Sequence, residues 1–133
     1  MSKYNSTGNC VFNISYHIVW IPKHRKHIIN STIEIRLKEI ILKKATQIGI
    51  IIAAIECMPD HIHIFVKSRP SIDVSYIVKM LKGYSSYILR KEFIHLKKYK
   101  ALWTPSYFCE SIGYISENTI IQYINNQKNA TKN

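Results

Sequence analysis

The sequence predicts an α+β fold of the ferredoxin-like (RRM-like) class, in which one antiparallel sheet carries its helices on a single face. Three observations lead to this prediction. Four short segments have strand-like apolar patterns, two longer segments have helical periodicity, and their order is β-α-β-β-α-β before a last helix. A split βαβ order of this kind closes into an antiparallel sheet. The open face of such a sheet commonly binds nucleic acid.

Residues 10–20 are the first predicted strand, because apolar and polar side chains alternate along them. A basic loop follows, and Ser31 and Glu34 then form an S-x-x-E capping box that opens a helix. This helix is expected to run to about Ile48, with Gly49 at its C-terminal end. The two faces of the strand carry Phe12, Ile14, Tyr16, Ile18 and Trp20 on one side, and Asn13, Ser15 and His17 on the other.

The middle of the chain predicts a hairpin followed by a long helix. Residues 50–57 read as a buried strand, Pro59 and Asp60 as a turn, and residues 61–67 as the returning strand. The helix is expected to start at Pro70 and Ser71 and to reach about Phe93. Its apolar stripe consists of Val74, Ile77, Val78, Leu81, Ser85 and Ile88.

The last part of the chain predicts one more strand and one more helix. Residues 106–113 are the fourth strand candidate. Ser116 is expected to cap a helix that reaches about Asn129, with Glu117 near its positive N-terminal end. No repeat or low-complexity segment is visible, so residues 1–133 are expected to form a single domain.

The charge of the chain predicts a polyanionic partner. Nineteen Lys and Arg residues against eight Asp and Glu give a net charge of +11, which attracts phosphates and releases their counterions. The basic residues are spread over several segments, which favours nucleic acid over a membrane surface. We expect a soluble cytoplasmic protein, because no apolar run approaches the ~20 residues of a membrane span and the N-terminus lacks a signal-peptide pattern. The three cysteines form no C-x-x-C pair and indicate no thiolate metal site.

Two histidines, His61 and His63, lie at the start of the returning strand of the hairpin. Alternate residues of a strand project from one face, about 6.6 Å apart along the chain, so the two rings can converge on one ion. The pair alone is a weak signal, because exposed strand histidines are common. Together with an oxygen ligand it would suit Mg²⁺, Mn²⁺ or Zn²⁺, and the spacing does not choose between them.

The last helix offers a candidate for the missing ligand. Tyr123 and Gln127 are four residues apart and are therefore neighbours on one helical face. They border an apolar stripe, which is also an ordinary position for both residue types. Either they are simply the margin of a packed helix, or they bring a phenol and an amide to the histidine pair.

Taken together, these elements resemble the single-tyrosine HUH transposases of small bacterial and archaeal insertion sequences, the TnpA type. The resemblance spans nearly the whole chain, and its fragments occur in the order found in the family. One departure is His24, at a position where the family more often has an aromatic residue such as Tyr. The matching fragments are YHIVWIPKHRKHI (16–28), MPDHIHIFV (58–66), KMLKGYSSYILRKEF (79–93), LWTPSYFCESIG (102–113) and QYINNQ (122–127).

The resemblance implies a DNA transposase that cleaves and rejoins single-stranded DNA at insertion-sequence ends through a 5′-phosphotyrosine intermediate, after recognising subterminal hairpins. His61, His63 and Gln127 would bind a divalent cation, Mg²⁺ or Mn²⁺, and Tyr123 would be the nucleophile. It also implies a homodimer, in which the tyrosine helix of one chain can complete the site of the other. Gly113, just before that helix, would be the pivot.

For DNA binding, basic residues of the first loop and the second helix are the expected contacts. Each of them could equally be a solvated surface charge. Tyr84 and Tyr87 could stack on bases. The expected contacts are Lys23, Arg25, Lys26, Lys79, Lys82 and Arg90, with Lys97, Lys98 and Lys100 of the following connector as further candidates.

Three other functions remain open at this point. A non-catalytic RRM-like nucleic-acid-binding module would leave the histidine pair idle, but the central strands lack an RNP-type aromatic signature. A domesticated repeat-associated transposase would share the chemistry without the mobility. A metalloenzyme unrelated to nucleic acid would leave the charge of +11 and the Tyr-Gln pair unexplained.

Overall fold

The computed structural model describes residues 5–7 and 10–113, together with the two helical positions 122 and 126. The predicted last helix otherwise falls outside the described residues, and this includes both Tyr123 and Gln127. The helices are α1 (Ser31–Ile48) and α2 (Val74–Glu92), and short 3₁₀ turns lie at Lys23–Arg25 and Ile94–Leu96. The strands are β1 (Asn5–Thr7), β2 (Cys10–Phe12), β3 (Ile14–Trp20), β4 (Ile51–Met58), β5 (His61–Ser68) and β6 (Phe108–Ile112).

The main sheet has the strand order β4-β5-β3-β6, and every neighbouring pair is antiparallel. The two central strands pair along their whole length, from Ile14 opposite Ser68 to Trp20 opposite Ile62. This arrangement confirms the predicted ferredoxin-like α+β class. Because β3 and β5 are central, the side chains at their middle have neighbours on both sides.

The hydrophobic core lies between one face of this sheet and the two helices. Ile18, Trp20, Ile62 and Ile64 are almost completely buried there. Within the described ranges, no helix combines the length and the apolar character that a membrane crossing needs. The helices contribute Ile33, Leu37, Ile40, Ile41 and Ala45 from α1, and Ile77, Val78, Leu81 and Leu89 from α2.

Two strand predictions need correction. The predicted strand at 10–20 is interrupted at Asn13, because β2 pairs with β1 in a separate hairpin while β3 joins the main sheet. The segment 50–57 is not a buried strand: among the described residues β4 is an edge strand of the sheet, and Ile51 is 60% exposed. A short apolar run has the same pattern in central and outer strands, since strand position depends on long-range pairing.

The ends of the helices also differ in part from the prediction. Asn30, and not Ser31, caps α1: its backbone is extended and its Oδ1 accepts the Ile33 N–H at 2.9 Å. Ser31 is already helical, so its side chain does not take the capping position, and Glu34 instead pairs with Lys38. Gly49 ends α1 as predicted, with a left-handed φ of 83° that favours glycine.

The second helix begins later than predicted. Its N-cap is Asp73 and its first residue is Val74, so Pro70 and Ser71 belong to the preceding turn. The predicted apolar stripe is otherwise correct, because Ile77, Val78 and other members are buried or packed against the core. The proline marks the end of β5 and the turn after it, not the first turn of α2.

The corrected cap of α1 can be tested by substitution. Asn30→Ala removes the acceptor of the Ile33 N–H and is expected to lower the free energy of unfolding by about 1 kcal/mol. Ser31→Ala is the matched control and is expected to change it by less than about 0.5 kcal/mol. Urea denaturation followed by circular dichroism measures both, and a larger loss in Ser31→Ala than in Asn30→Ala would restore the capping box.

Candidate active site

The histidine pair lies on the face of the sheet opposite the helices. Ile62 and Ile64 of β5 are fully buried in the core, and the alternation of a strand therefore sends His61 and His63 to the other face. Their ring centroids are 4.8 Å apart, with an angle of 71° between the ring planes. The structure thus brings the two predicted ligands together at the start of β5.

His61 is oriented by a carboxylate next to it in the chain. Its Nδ1 lies 2.7 Å from Oδ1 of Asp60, and Asp60 also accepts a hydrogen bond of 3.1 Å from Nε of Arg25. Partial burial on its own would raise the pKa of Asp60, but the His61 hydrogen bond and the charges of His61 and Arg25 outweigh it and lower that pKa. Asp60 therefore stays ionised, and His61 donates to it through Nδ1.

His63 has a different partner, a third histidine that the sequence did not single out. Nδ1 of His63 lies 3.1 Å from Nε2 of His17 on β3, and Nδ1 of His17 lies 3.3 Å from Oε1 of Glu110 on β6. The two contacts join side chains of three neighbouring strands. Alternation had placed His17 on the open face, but only the pairing of β3 with β5 and β6 shows what it touches.

His17 lies within a small aromatic cluster on this open face. It is 5% exposed and stacks on Phe65, with ring centroids 4.5 Å apart and nearly parallel planes. The ring of Phe108 approaches it edge-on at 5.8 Å. Phe65 is itself buried against Ala53, Ala54 and Ile112. Packed aromatic side chains therefore fix the position of His17, which in turn contacts His63.

The environment of His63 keeps its ring neutral. Burial lowers its pKa, electrostatic interaction with His61 and His17 lowers it further, and Glu56 opposes them, so that the pKa falls to about 4. Glu56 is the cross-strand neighbour of His63 on β4 and is held by Lys38 at 3.3 Å. A neutral imidazole is the form that binds metals, so this ring is ready to be a ligand at neutral pH.

The donor set fits a divalent cation. Both Nδ1 atoms are occupied by hydrogen bonds inside the protein, and among the described residues no hydrogen bond involves Nε2 of His61 or His63. Two imidazole Nε2 atoms and an amide oxygen form a plausible ligand set for such a cation. In the described part of the chain, no group of three or more His, Cys, Asp or Glu residues could hold a metal. Gln127 lies outside the described residues, so its place as third ligand stays a prediction, as does the position of Tyr123.

The first loop and the connector form a basic cleft of about 290 Å³. Main-chain hydrogen bonds hold the two segments together, from Lys23 N to Leu102 O and from Thr104 N to Ile21 O. Amines flank the ring of Tyr99: Nζ of Lys26 lies 4.8 Å from its centroid, and Lys98 packs beside it. Lysines beside an aromatic ring suit phosphate contacts and base stacking. The lining residues are Pro22, Lys23, His24, Lys26, Ile28, Lys98, Tyr99, Lys100, Ala101 and Leu102.

The predicted DNA contacts divide into two groups. Lys23, Arg25, Lys26 and Lys79 are exposed, although Arg25 also pairs with Asp60. Lys82 donates to the carbonyl oxygens of Thr104 and Ser106, and burial lowers its pKa. Arg90 donates to Ser86 O and Tyr99 O, each at 3.2 Å. Lys82 and Arg90 therefore tie the connector to α2, and a DNA contact of theirs remains a prediction.

Comparison with known proteins adds independent findings. The family described as "Transposase IS200 like" matches residues 10–127. The ISDra2 transposase TnpA of Deinococcus radiodurans is 33% identical over 126 residues, covering 88% of this chain and 86% of that protein. The transposase for insertion sequence element IS200 of Salmonella typhimurium is 32% identical over 132 residues, covering 96% and 85%.

Two solved structures have the same fold. A Deinococcus radiodurans protein assigned as a transposase superposes with a TM-score of 0.78 at 32% identity, covering 92% of this chain and 97% of that one. A REP-associated tyrosine transposase, solved with a REP hairpin, superposes with a TM-score of 0.64 at 16% identity, covering 90% and 70%. The second likeness concerns the fold alone.

The low pKa of His63 predicts a pH dependence in the metal-free protein. In the unfolded chain a histidine has a pKa of about 6.5, and in the folded chain that of His63 is about 4. Between these values the unfolded chain binds more protons, so stability is expected to fall as the pH decreases from about 6.5 to 4. Proton NMR of the His63 ring at a series of pH values measures its pKa in the folded chain, with the urea-unfolded chain as control. A titration midpoint near 6.5 in the folded chain would contradict the prediction.

Proposed function

Since the chain belongs to the family of IS200-like single-tyrosine transposases, we propose that it cleaves and rejoins single-stranded DNA at the ends of an insertion sequence. The reaction proceeds through a 5′-phosphotyrosine intermediate. The observation that carries this proposal is the oriented histidine pair, in which His61 and His63 both use Nδ1 inside the protein. A binding module without catalytic activity would not need Asp60 and His17 to fix the orientation of two neighbouring imidazoles.

The proposed metal ligands are His61, His63 and Gln127, and the proposed ion is Mg²⁺ or Mn²⁺. When bound, a divalent cation neutralises charge that develops on the scissile phosphate and orients it for in-line attack. The protein supplies two imidazoles on β5, each with its Nδ1 held by a hydrogen bond. The assignment of Gln127 as the amide ligand rests on the resemblance of the segment 122–127 to the family.

The proposed nucleophile is Tyr123. A free phenol has a pKa of about 10, so a tyrosine attacks phosphorus poorly at neutral pH without help. Its Oη forms a bond to phosphorus while the bond from phosphorus to the 3′ oxygen breaks. The phenolic proton passes to a base, and the departing 3′ oxygen takes up a proton. Because the phosphotyrosine keeps the energy of a phosphodiester, a different 3′-hydroxyl can reverse the step and join new ends without ATP.

The basic cleft is the proposed contact surface for the DNA backbone. It combines Lys23, Lys26, Lys98 and Lys100 with the ring of Tyr99, and the net charge of +11 strengthens the attraction. We propose a subterminal hairpin as the ligand, in line with the hairpin bound by the REP-associated neighbour. The proposed assembly is a homodimer, with Gly113 as the pivot that lets the tyrosine segment reach the partner's site.

The nucleophile is tested by trapping the covalent intermediate. Single-stranded oligonucleotides that carry the ends of the element are incubated with the protein and Mg²⁺ or Mn²⁺, and adducts are resolved on denaturing gels. The natural chain is expected to form an adduct that Tyr123→Phe lacks, because phenylalanine has no attacking oxygen. EDTA is expected to suppress the adduct by at least about 100-fold. Tyr76→Phe, which removes the hydroxyl of an exposed tyrosine on α2, is the matched control.

Two outcomes would contradict the proposal. An adduct of normal yield in Tyr123→Phe would exclude this nucleophile. Tight DNA binding without any adduct or strand cleavage by the natural chain, under all of these metal conditions, would instead indicate a non-catalytic binding module.

The contribution of the cleft is tested by the salt dependence of DNA binding. The affinity falls with salt, and each phosphate contact that is lost reduces the magnitude of the slope of log affinity against log salt by about 0.7 for single strands. Lys23→Gln and Lys26→Gln are each expected to have this effect. Lys43→Gln is the control, since Lys43 is exposed and does not line the cleft. It lies about 18 Å along α1 from Ser31, the residue at which the helix begins after the first loop. Equal slopes for all of these variants, measured by fluorescence anisotropy, would remove the cleft from the DNA interface.

A further inference from the structure

His17 occupies the centre of the open face of the sheet and is in direct contact with one proposed metal ligand. Its Nε2 lies 3.1 Å from Nδ1 of His63, and its Nδ1 lies 3.3 Å from Oε1 of Glu110. The stack on Phe65 holds its ring plane. The position of His17 is therefore defined by packing from one side and by hydrogen bonds at both nitrogens.

The proton positions along the contacts from Glu110 through His17 to His63 follow from the carboxylate of Glu110. An ionised carboxylate only accepts hydrogen bonds, so Glu110 requires a proton on Nδ1 of His17. A neutral His17 with that proton has its lone pair on Nε2 and accepts there. His63 must then donate through Nδ1, and the lone pair of its own ring is left at Nε2.

His61 reaches the same state by a shorter route. Asp60 accepts directly from Nδ1 of His61, which leaves the lone pair of that ring at Nε2 as well. The two neighbouring imidazoles thus present the same nitrogen, although one is oriented by a carboxylate and the other by an intervening histidine. Without its partner, the His63 ring could carry its proton on either nitrogen.

We propose that His17 is a positioning residue: it holds His63 in the Nδ1–H tautomer and in a fixed ring orientation, so that Nε2 is available to the metal. Glu110 sets the tautomer of His17 in turn. This inference rests on the proposed role of His63 as a metal ligand. Loss of such an outer partner typically weakens metal binding by about 10- to 100-fold.

Two substitutions of His17 separate its hydrogen bond from its packing. His17→Phe keeps an aromatic ring that can stack on Phe65 but removes the acceptor for His63. His17→Gln loses the ring but offers an amide oxygen as acceptor. His95→Phe is the control, because His95 is exposed on the 3₁₀ turn after α2.

Each variant is measured twice in the absence of DNA. Long-range ¹H–¹⁵N NMR of the metal-free protein reports which nitrogen of His63 carries the proton, and calorimetry with Mn²⁺ alone reports metal affinity. The natural chain, His17→Gln and His95→Phe are expected to have the Nδ1–H tautomer and affinities within a few-fold of each other. His17→Phe is expected to lose that tautomer and to bind Mn²⁺ about 10- to 100-fold more weakly.

The possible outcomes separate this inference from the proposed function. If His17→Phe keeps both the tautomer and the affinity, the positioning role is wrong. If the natural chain binds no Mn²⁺, the proposed metal role fails, and the tautomers alone then support or overturn the action of His17 on His63. If His17→Phe does not fold, Glu110→Ala replaces it: a partial shift of His63 to Nε2–H supports the relay, and an unchanged spectrum overturns it.

Discussion

The arrangement of the site depends on the burial of one face of β5. Ile62, Ile64 and Val66 are fully enclosed between the sheet and the helices, and each contributes roughly 1.5–3 kcal/mol relative to an exposed position. A shift of the strand by one residue would expose all three and bury His61 and His63 instead. The hydrophobic core therefore determines the face of the sheet on which the two histidines lie.

The polar groups that contact Nδ1 of His61 and His63 are arranged in the same way for both rings. Each Nδ1 atom meets an acceptor, which is Asp60 for His61 and His17 for His63. Each of those acceptors contacts a further charged group, Arg25 or Glu110. Buried polar groups are costly unless they are paired. Because these side chains are paired with one another, several titratable groups can pack close together on the open face.

Local patterns in the sequence were sufficient for the order of the described elements from β3 to β6 and for the shared face of the histidine pair. The alternation of β5 and the turn at Pro59 and Asp60 placed His61 and His63 on one face, as observed. Local patterns were not sufficient where position depends on pairing between distant segments. The outer place of β4, the separate hairpin of β1 and β2, and the contact of His17 with His63 all belong to this second kind.

The basic residues illustrate the same limit at the level of single side chains. Composition predicts a positively charged surface, but it does not distinguish Lys26, which lines an open cleft, from Lys82, whose ammonium group is bonded to two backbone carbonyls. The distinction depends on where the connector crosses α2. Tyr123 and Gln127 lie outside the described residues, and their proposed roles rest on spacing and on membership of the family.

The link from Glu110 through His17 to His63 has a consequence for how the protein folds. Its two contacts span 93 and 46 residues of the chain, so they close large loops and form only after distant strands have met. Proteins dominated by such non-local contacts fold slowly. During synthesis, the helices and the β4–β5 hairpin can assemble before β6 has left the ribosome, but the complete support for His63 cannot. A chain that ends before β6 therefore keeps the Asp60 contact of His61 but lacks the Glu110 contact of His17.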